Sequence, residues 1–250
     1  MPSDAAVEPR ADFSVALADD AVEIIDGDGH HMTEDRSGPY RFSRKLEILS
    51  DPTGTQSSAM GALRNHLTQQ HLGLGRRSLA ICSVSADVDR TLVSASLAIA
   101  AAQSGASTVL VDANMRESHL GDYLSLREDR LGLSDFLSGA VSDPMAVISN
   151  EILPNFSLVN AGSVTEDPQA LLAGRRFEDF ISGLMRSFDF TIVDCPAARH
   201  SSDARRIASV VRYAMIVTKR DVTYVSDVKR LVDELTGDRV SVLGTFLNVG

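Results

Sequence analysis

The 250-residue sequence has no long hydrophobic run, few cysteines and no basic stripe, and each absence excludes a class of protein. A helix that crosses a bilayer needs ~18–20 consecutive apolar residues. Nothing in this sequence approaches that length, so no membrane-spanning helix is expected. The N-terminus, Met1-Pro2-Ser3-Asp4-Ala5, lacks the basic start and apolar stretch of a secretory signal. Two cysteines, Cys82 and Cys195, make no disulfide framework, and neither sits in a paired motif for structural zinc. Together these features place the chain in a reducing cytoplasm. The formal net charge is −10, and residues 1–35 hold ten acidic side chains against Arg10 alone. Phosphate-backbone binding needs clustered Lys and Arg, so nucleic acid is not an expected partner.

What is present is an ordinary globular composition, 44% hydrophobic and 23% charged, enough for one large domain with an appendage. Residues 1–52 mix acidic residues with Gly and Pro around one apolar stretch, Ala21 to Ile25, and close on Asp51-Pro52-Thr53-Gly54. They read as an acidic arm or linker, either solvated or docking a partner. The folded domain is expected over 53–250. From Ser57 to His71, Met60, Leu63, Leu67 and the following Leu72 share a helical face. Short apolar runs then alternate with helical stretches. Strands are expected at 79–84, 108–112, 156–159, 188–194, 213–218 and 240–247, with helices over 90–104, 168–185 and 224–235. Apolar strands separated by helices mean a doubly wound, mostly parallel α/β sheet covered on both faces. Ligands of such sheets sit beyond the carboxyl ends of the strands, which singles out residues 85–91, 112–116 and 194–196.

Those strand ends carry motifs. Ser83-Val-Ser-Ala-Asp-Val-Asp-Arg-Thr-Leu-Val-Ser-Ala-Ser-Leu-Ala98, with Ala-Gln-Ser-Gly105 closing the helix, resembles the Walker A region of bacterial tyrosine kinases of capsule and exopolysaccharide synthesis. That loop reads roughly S-x-x-P-G-E-G-K-S-T, in a P-loop fold related to the MinD and ParA ATPases. Val109-Leu-Val-Asp-Ala-Asn-Met-Arg116 is similar to the family's D-x-D-x-R motif, and Gly132-Leu-Ser-Asp-Phe-Leu-Ser-Gly139 to the G-L-S-D segment that follows. Phe188-Asp-Phe-Thr-Ile-Val-Asp-Cys-Pro196 resembles its Walker B strand, and Val242-Leu-Gly-Thr-Phe-Leu-Asn248 its closing V-L-G-x-x-L-N. The resemblance implies a P-loop fold, Mg-ATP as the family's cofactor, and magnesium held by positions matching Thr91, Asp112 and Asp194.

Several positions depart from the family. The loop glycines fall on Asp87 and Asp89, the intervening Glu on Val88, and the lysine on Arg90; Thr91 keeps the hydroxyl. A carboxylate about 4 Å from a phosphate oxygen is repelled by about 4 kcal/mol at an effective dielectric of about 20. Guanidinium is also no substitute for a compact ammonium at a point-charge site. No bound nucleotide is expected. Asp89 stands where a helix N-cap belongs, and its carboxylate would satisfy the first N–H groups in place of a phosphate. Two alternatives stay open: a remodelled loop that binds nucleotide, and a carboxylate metal site built with Asp112 and Asp194. Asn114 replaces the second carboxylate of the D-x-D pair, Arg116 is free to pair with carboxylates, and both cysteines read as small buried hydrophobes.

Of the family's E-x-x-R-x-x-R ring-forming helix, the matching residues are Ser58, Gly61 and Arg64, so ring assembly by self-contact is not expected. Tyrosines stand only at 40, 123, 213 and 224, with no tyrosine-rich tail. The sequence therefore reads as a pseudokinase regulator or scaffold, cytoplasmic and peripheral at the inner membrane face, partnered by a membrane co-polymerase of the chain-length-determining type. The alternative is an active ATP-dependent tyrosine autokinase of the same pathway.

Overall fold

The computed structural model describes residues 23–25, 40–86, 88–126, 131–165, 167–199 and 202–249. In chain order the first elements are β1 (Glu23–Ile25), β2 (Tyr40–Ser43), α1 (Glu47–Ser50) and α2 (Thr55–Gln70). The main sheet begins with β3 (Ser78–Ser83), α3 (Arg90–Gln103) and β4 (Thr108–Asp112), followed by β5 (Leu124–Leu126) and α4 (Leu133–Ser138). Next come β6 (Ser149–Leu153), β7 (Phe156–Val159), α5 (Pro168–Ala173), α6 (Arg175–Ser187) and β8 (Phe190–Asp194). The chain then runs through α7 (Asp203–Val211), β9 (Tyr213–Lys219), α8 (Val225–Gly237) and β10 (Ser241–Asn248).

Seven strands form one sheet in the order β10-β9-β3-β8-β4-β7-β6, parallel throughout except for the β6–β7 pair. Strand side chains alternate between faces, so Leu79 and Ile81 of β3 enter one core while Ala80 and Cys82 enter the other. Both faces are covered, which is why β3, β4 and β8 read as unbroken apolar runs and are buried along their whole length. The mostly parallel doubly wound sheet expected from the sequence is the observed fold. Its helix α3 is buried on nearly every side and stops where Gly105, at φ +91°, takes the left-handed conformation a Cβ disfavours.

Three expectations shift. The boundary at residue 52 falls inside packed structure, because Phe42 and Leu46 are fully buried with Leu49 in the α3-side core. β2 pairs antiparallel with β5 and parallel with β1, a second small sheet the sequence pattern did not disclose. The rest of the acidic arm lies outside the described residues. The single helix expected over 168–185 is two, α5 and α6, divided at Gly174. Asp167 caps α5 by accepting a hydrogen bond from the Ala170 N–H at 3.0 Å, and Phe177, Phe180, Ile181 and Leu184 give α6 its buried stripe. Among the described residues no helix is long and apolar enough to cross a membrane.

Candidate functional site

Strand order builds the site. β3 lies between β8 and β9, while β4 sits on the far side of β8, so the chain must step over β8 between β3 and β4. That reversal opens the crevice where such folds place ligands. Register brings the ends together: Ile81 of β3 and Asp112 of β4 both pair with Asp194 of β8. A cleft of about 360 Å³ opens there, lined by Asp89, Arg90, Thr91, Asn114, Arg116 and Tyr123 among others.

The loop cation does not face this space as a phosphate ligand would. Arg90 is 4% exposed and donates from Nε to Asp194 Oδ1 at 2.8 Å, from Nη2 to Oδ2 at 3.5 Å and from Nη1 to Ser83 Oγ at 3.0 Å. Asp194 also accepts from Thr91 Oγ1 at 2.7 Å and from Ser94 Oγ at 2.8 Å. Burial works against the guanidinium charge, but the Asp194 carboxylate outweighs it and holds Arg90 above its ordinary range.

Asp112, fully buried beside Asp194, accepts hydrogen bonds from the Asn114 N–H at 2.9 Å and from the Ser118 hydroxyl. Burial and the neighbouring Asp194 charge push its carboxyl up to about 7, against the pull of those donors and Arg90. It caps the turn after β4. Asn114 donates from its side chain to the Glu117 carbonyl, and Arg116 donates from Nε to Asp203 Oδ2 at 2.7 Å, the carboxylate pairing expected for that arginine.

Asp89 overturns one expectation. It occupies the N-cap position of α3, but no hydrogen bond runs from its side chain to the helix. Its backbone is left-handed (φ 53°, ψ 36°), whereas a capping residue is usually extended, the conformation that swings the side chain back over the first turn. The carboxylate instead meets Lys219 Nζ at 2.7 Å, at the end of β9. Left-handed backbone at this point is glycine geometry, which Asp tolerates better than most residues. Val88 is buried in the α3-side core, and its carbonyl accepts from Asn248 Nδ2 at 3.3 Å. Asp87 lies outside the described residues.

The structure thus gathers Arg90, Thr91, Asp112 and Asp194 into one cluster, places Asn114 and Arg116 along the cleft, and sets Asp89 at its mouth. Sequence reasoning missed Ser83, Ser94 and Lys219. Ser94 stands one turn beyond Arg90, and Ser83 and Lys219 end strands, so helical spacing and the strand-end rule carry the signal for all three. Both cysteines are buried free thiols, and burial together with the neighbouring Cys82 pushes the Cys195 thiol up.

Magnesium would need Asp194 and Thr91 turned toward it. An ionised carboxylate offers about four acceptor positions. Four donors already point at Asp194, two of them from the buried Arg90 guanidinium, so the residues as arranged do not fit the metal.

A parallel sheet with a strand-loop-helix unit at its switch point, flanked by two strand-end aspartates, defines a P-loop NTPase-like α/β domain. No protein-family model matches the chain. The tyrosine-protein kinase CpsD of Streptococcus agalactiae is 30% identical over 187 residues, which cover 75% of this chain and 80% of that protein. EpsB of Ralstonia solanacearum is 24% identical over 235 residues, 94% of this chain. The chain spans 30% of EpsB's length. Among solved structures, the kinase domain of the Escherichia coli tyrosine kinase ETK superposes with a TM-score of 0.76 at 22% identity, covering 93% of this chain and 89% of that one. The chain belongs to the bacterial tyrosine-protein kinase family.

Proposed function

We propose that this chain is a regulatory, non-catalytic member of its family, acting in capsule or exopolysaccharide synthesis and export. It works as the cytoplasmic partner of a membrane polysaccharide co-polymerase, at the inner face of the membrane. One observation carries the reading: Arg90, at the position of the family's phosphate-binding lysine, is spent inside the fold on Asp194. A P-loop works when its cation meets the outer phosphates and its hydroxyl meets magnesium. Here both groups bond the same carboxylate. Asp89, paired with Lys219, puts a carboxylate at the mouth where the family loop has glycine, and Asn114 leaves the D-x-D pair with Asp112 as its one carboxylate.

The open cleft of about 360 Å³ favours a second reading, an active ATP-dependent tyrosine autokinase. Calorimetry with Mg-ATP separates the two. The native chain should bind no nucleotide, and Asp87→Gly/Asp89→Gly/Arg90→Lys should gain measurable affinity without autokinase activity. Val88 is left unchanged because it is fully buried, and a Glu there would put an unpaired charge in the core. Micromolar Mg-ATP affinity in the native chain would defeat the non-catalytic reading. The partner is tested by fractionation: in cells without the co-polymerase the protein should leave the membrane pool.

A further inference from the structure

We propose that Arg90 is a built-in cation standing in the place of the metal, so that the loop, α3 and β8 are locked in one arrangement that responds to neither magnesium nor nucleotide. This deepens the non-catalytic reading and rests on it.

The geometry is that of a closed site. Arg90, Thr91, Ser94, Ser83 and Asp194 are each 5% exposed or less, and every one is bonded to another of the set or through it. Asp194 receives two contacts from the guanidinium fork and two from hydroxyls one helical turn apart. A guanidinium suits this role better than an ammonium. It is planar, more weakly hydrated, and presents several donors at fixed angles, so it can be buried against a carboxylate while reaching a third group. The donors Arg90, Thr91 and Ser94 at the start of α3 reach acceptors at the ends of β3 and β8, and so tie together elements that a switch would need to separate. A second tie lies at the mouth, where Lys219 at the end of β9 holds Asp89 at 2.7 Å. Both charged loop residues among those described are therefore paired within the chain, one to β8 and one to β9.

Coupling of a P-loop site to its surroundings requires a ligand with different affinity for two arrangements. A site whose cation is covalently part of the chain has no such variable. Any partner surface next to this loop is held in one state.

The test uses the purified full chain, with manganese alone as a spectroscopic probe and magnesium alone in hydrogen exchange of residues 88–95 and 190–195. The native chain should bind no manganese at this site, and its exchange there should be the same with and without millimolar magnesium. Arg90→Met leaves Asp112, Asp194 and Thr91 without their cation. Exchange should rise several-fold, and magnesium should now slow it. If that variant does not fold, Asp194→Asn serves: it removes the ion partner, keeps one of the two oxygens that accept from Thr91 and Ser94, and should raise exchange with no response to magnesium. Manganese binding by the native chain, native exchange that magnesium slows, or unchanged exchange in the variant would each overturn the proposal. Nucleotide affinity in a native chain whose exchange ignores both metal and nucleotide would instead defeat the non-catalytic reading and leave the lock standing.

Discussion

Removing the Arg90 side chain tests how much the buried pair contributes to the fold. Arg90→Met keeps the unbranched apolar stem and deletes the guanidinium, leaving Asp194 at 0% exposure with only two hydroxyl donors and Asp112 alongside. Breaking a buried ion pair from one side costs about 3–5 kcal/mol, chiefly because a charge is left uncompensated. Net stabilities are about 5–15 kcal/mol, so this is a large share of the total. For a chain of this size each kilocalorie lowers the melting temperature by about 2–4 °C, which puts the expected drop at about 6–20 °C. Arg90→Met/Asp194→Asn removes both charges while Asn keeps one of the two oxygens that accept from Thr91 and Ser94. It should recover most of the loss, since replacing a whole buried pair is often near neutral. The measurement is a double-mutant cycle by urea unfolding, with the slope checked for constancy. A single variant within about 1 kcal/mol of native would refute the reasoning, because surface ion pairs are worth no more than that.

Asp112 predicts a pH dependence with a definite sign. Its folded-state value, about 7, lies above the ordinary 3.8, so its contribution is full below 3.8 and is lost as pH rises through about 7. Unfolding free energy should fall over that window in the native chain and flatten in Asp112→Asn; equal slopes would contradict the burial argument. Gly132→Ala should be severe, since a Cβ there would sit 2.3 Å from the Gly162 nitrogen and 2.5 Å from the Asn160 carbonyl oxygen. Overpacking against backbone costs about 1–3 kcal/mol or more, and a melting temperature unchanged from native would refute the close approach.

The sequence by itself determined the layering. Unbroken apolar runs separated by amphipathic stretches permit only a parallel sheet with both faces covered, because each strand must bury two sides. It also located the site, since the residues that follow β3, β4 and β8 can be read from the ends of those runs. Local patterns were less informative where no period is long enough to register. Three-residue β5 gives no alternation to read, and Gly174 interrupts what is otherwise one helical stripe across α5 and α6. Reading residues 1–52 as one acidic arm concealed Phe42 and Leu46, although residues 36–52 carry four basic and two acidic side chains; these two apolar residues find a core only once α3 is in place.

Tertiary structure decided what each site residue bonds. The resemblance to the family's loop marked Arg90 as the wrong cation for phosphate, but only the β3–β8 register brings Asp194 to within 2.8 Å of it across 104 positions of chain. Asp89 read as a cap from its place before a helix. Its left-handed backbone turned the carboxylate instead toward Lys219, 130 residues away. Spacing along a chain reports which face a side chain takes and where a turn begins. Which charge neutralises which depends on distances between strands that are remote in sequence, and those distances exist only after the sheet has assembled.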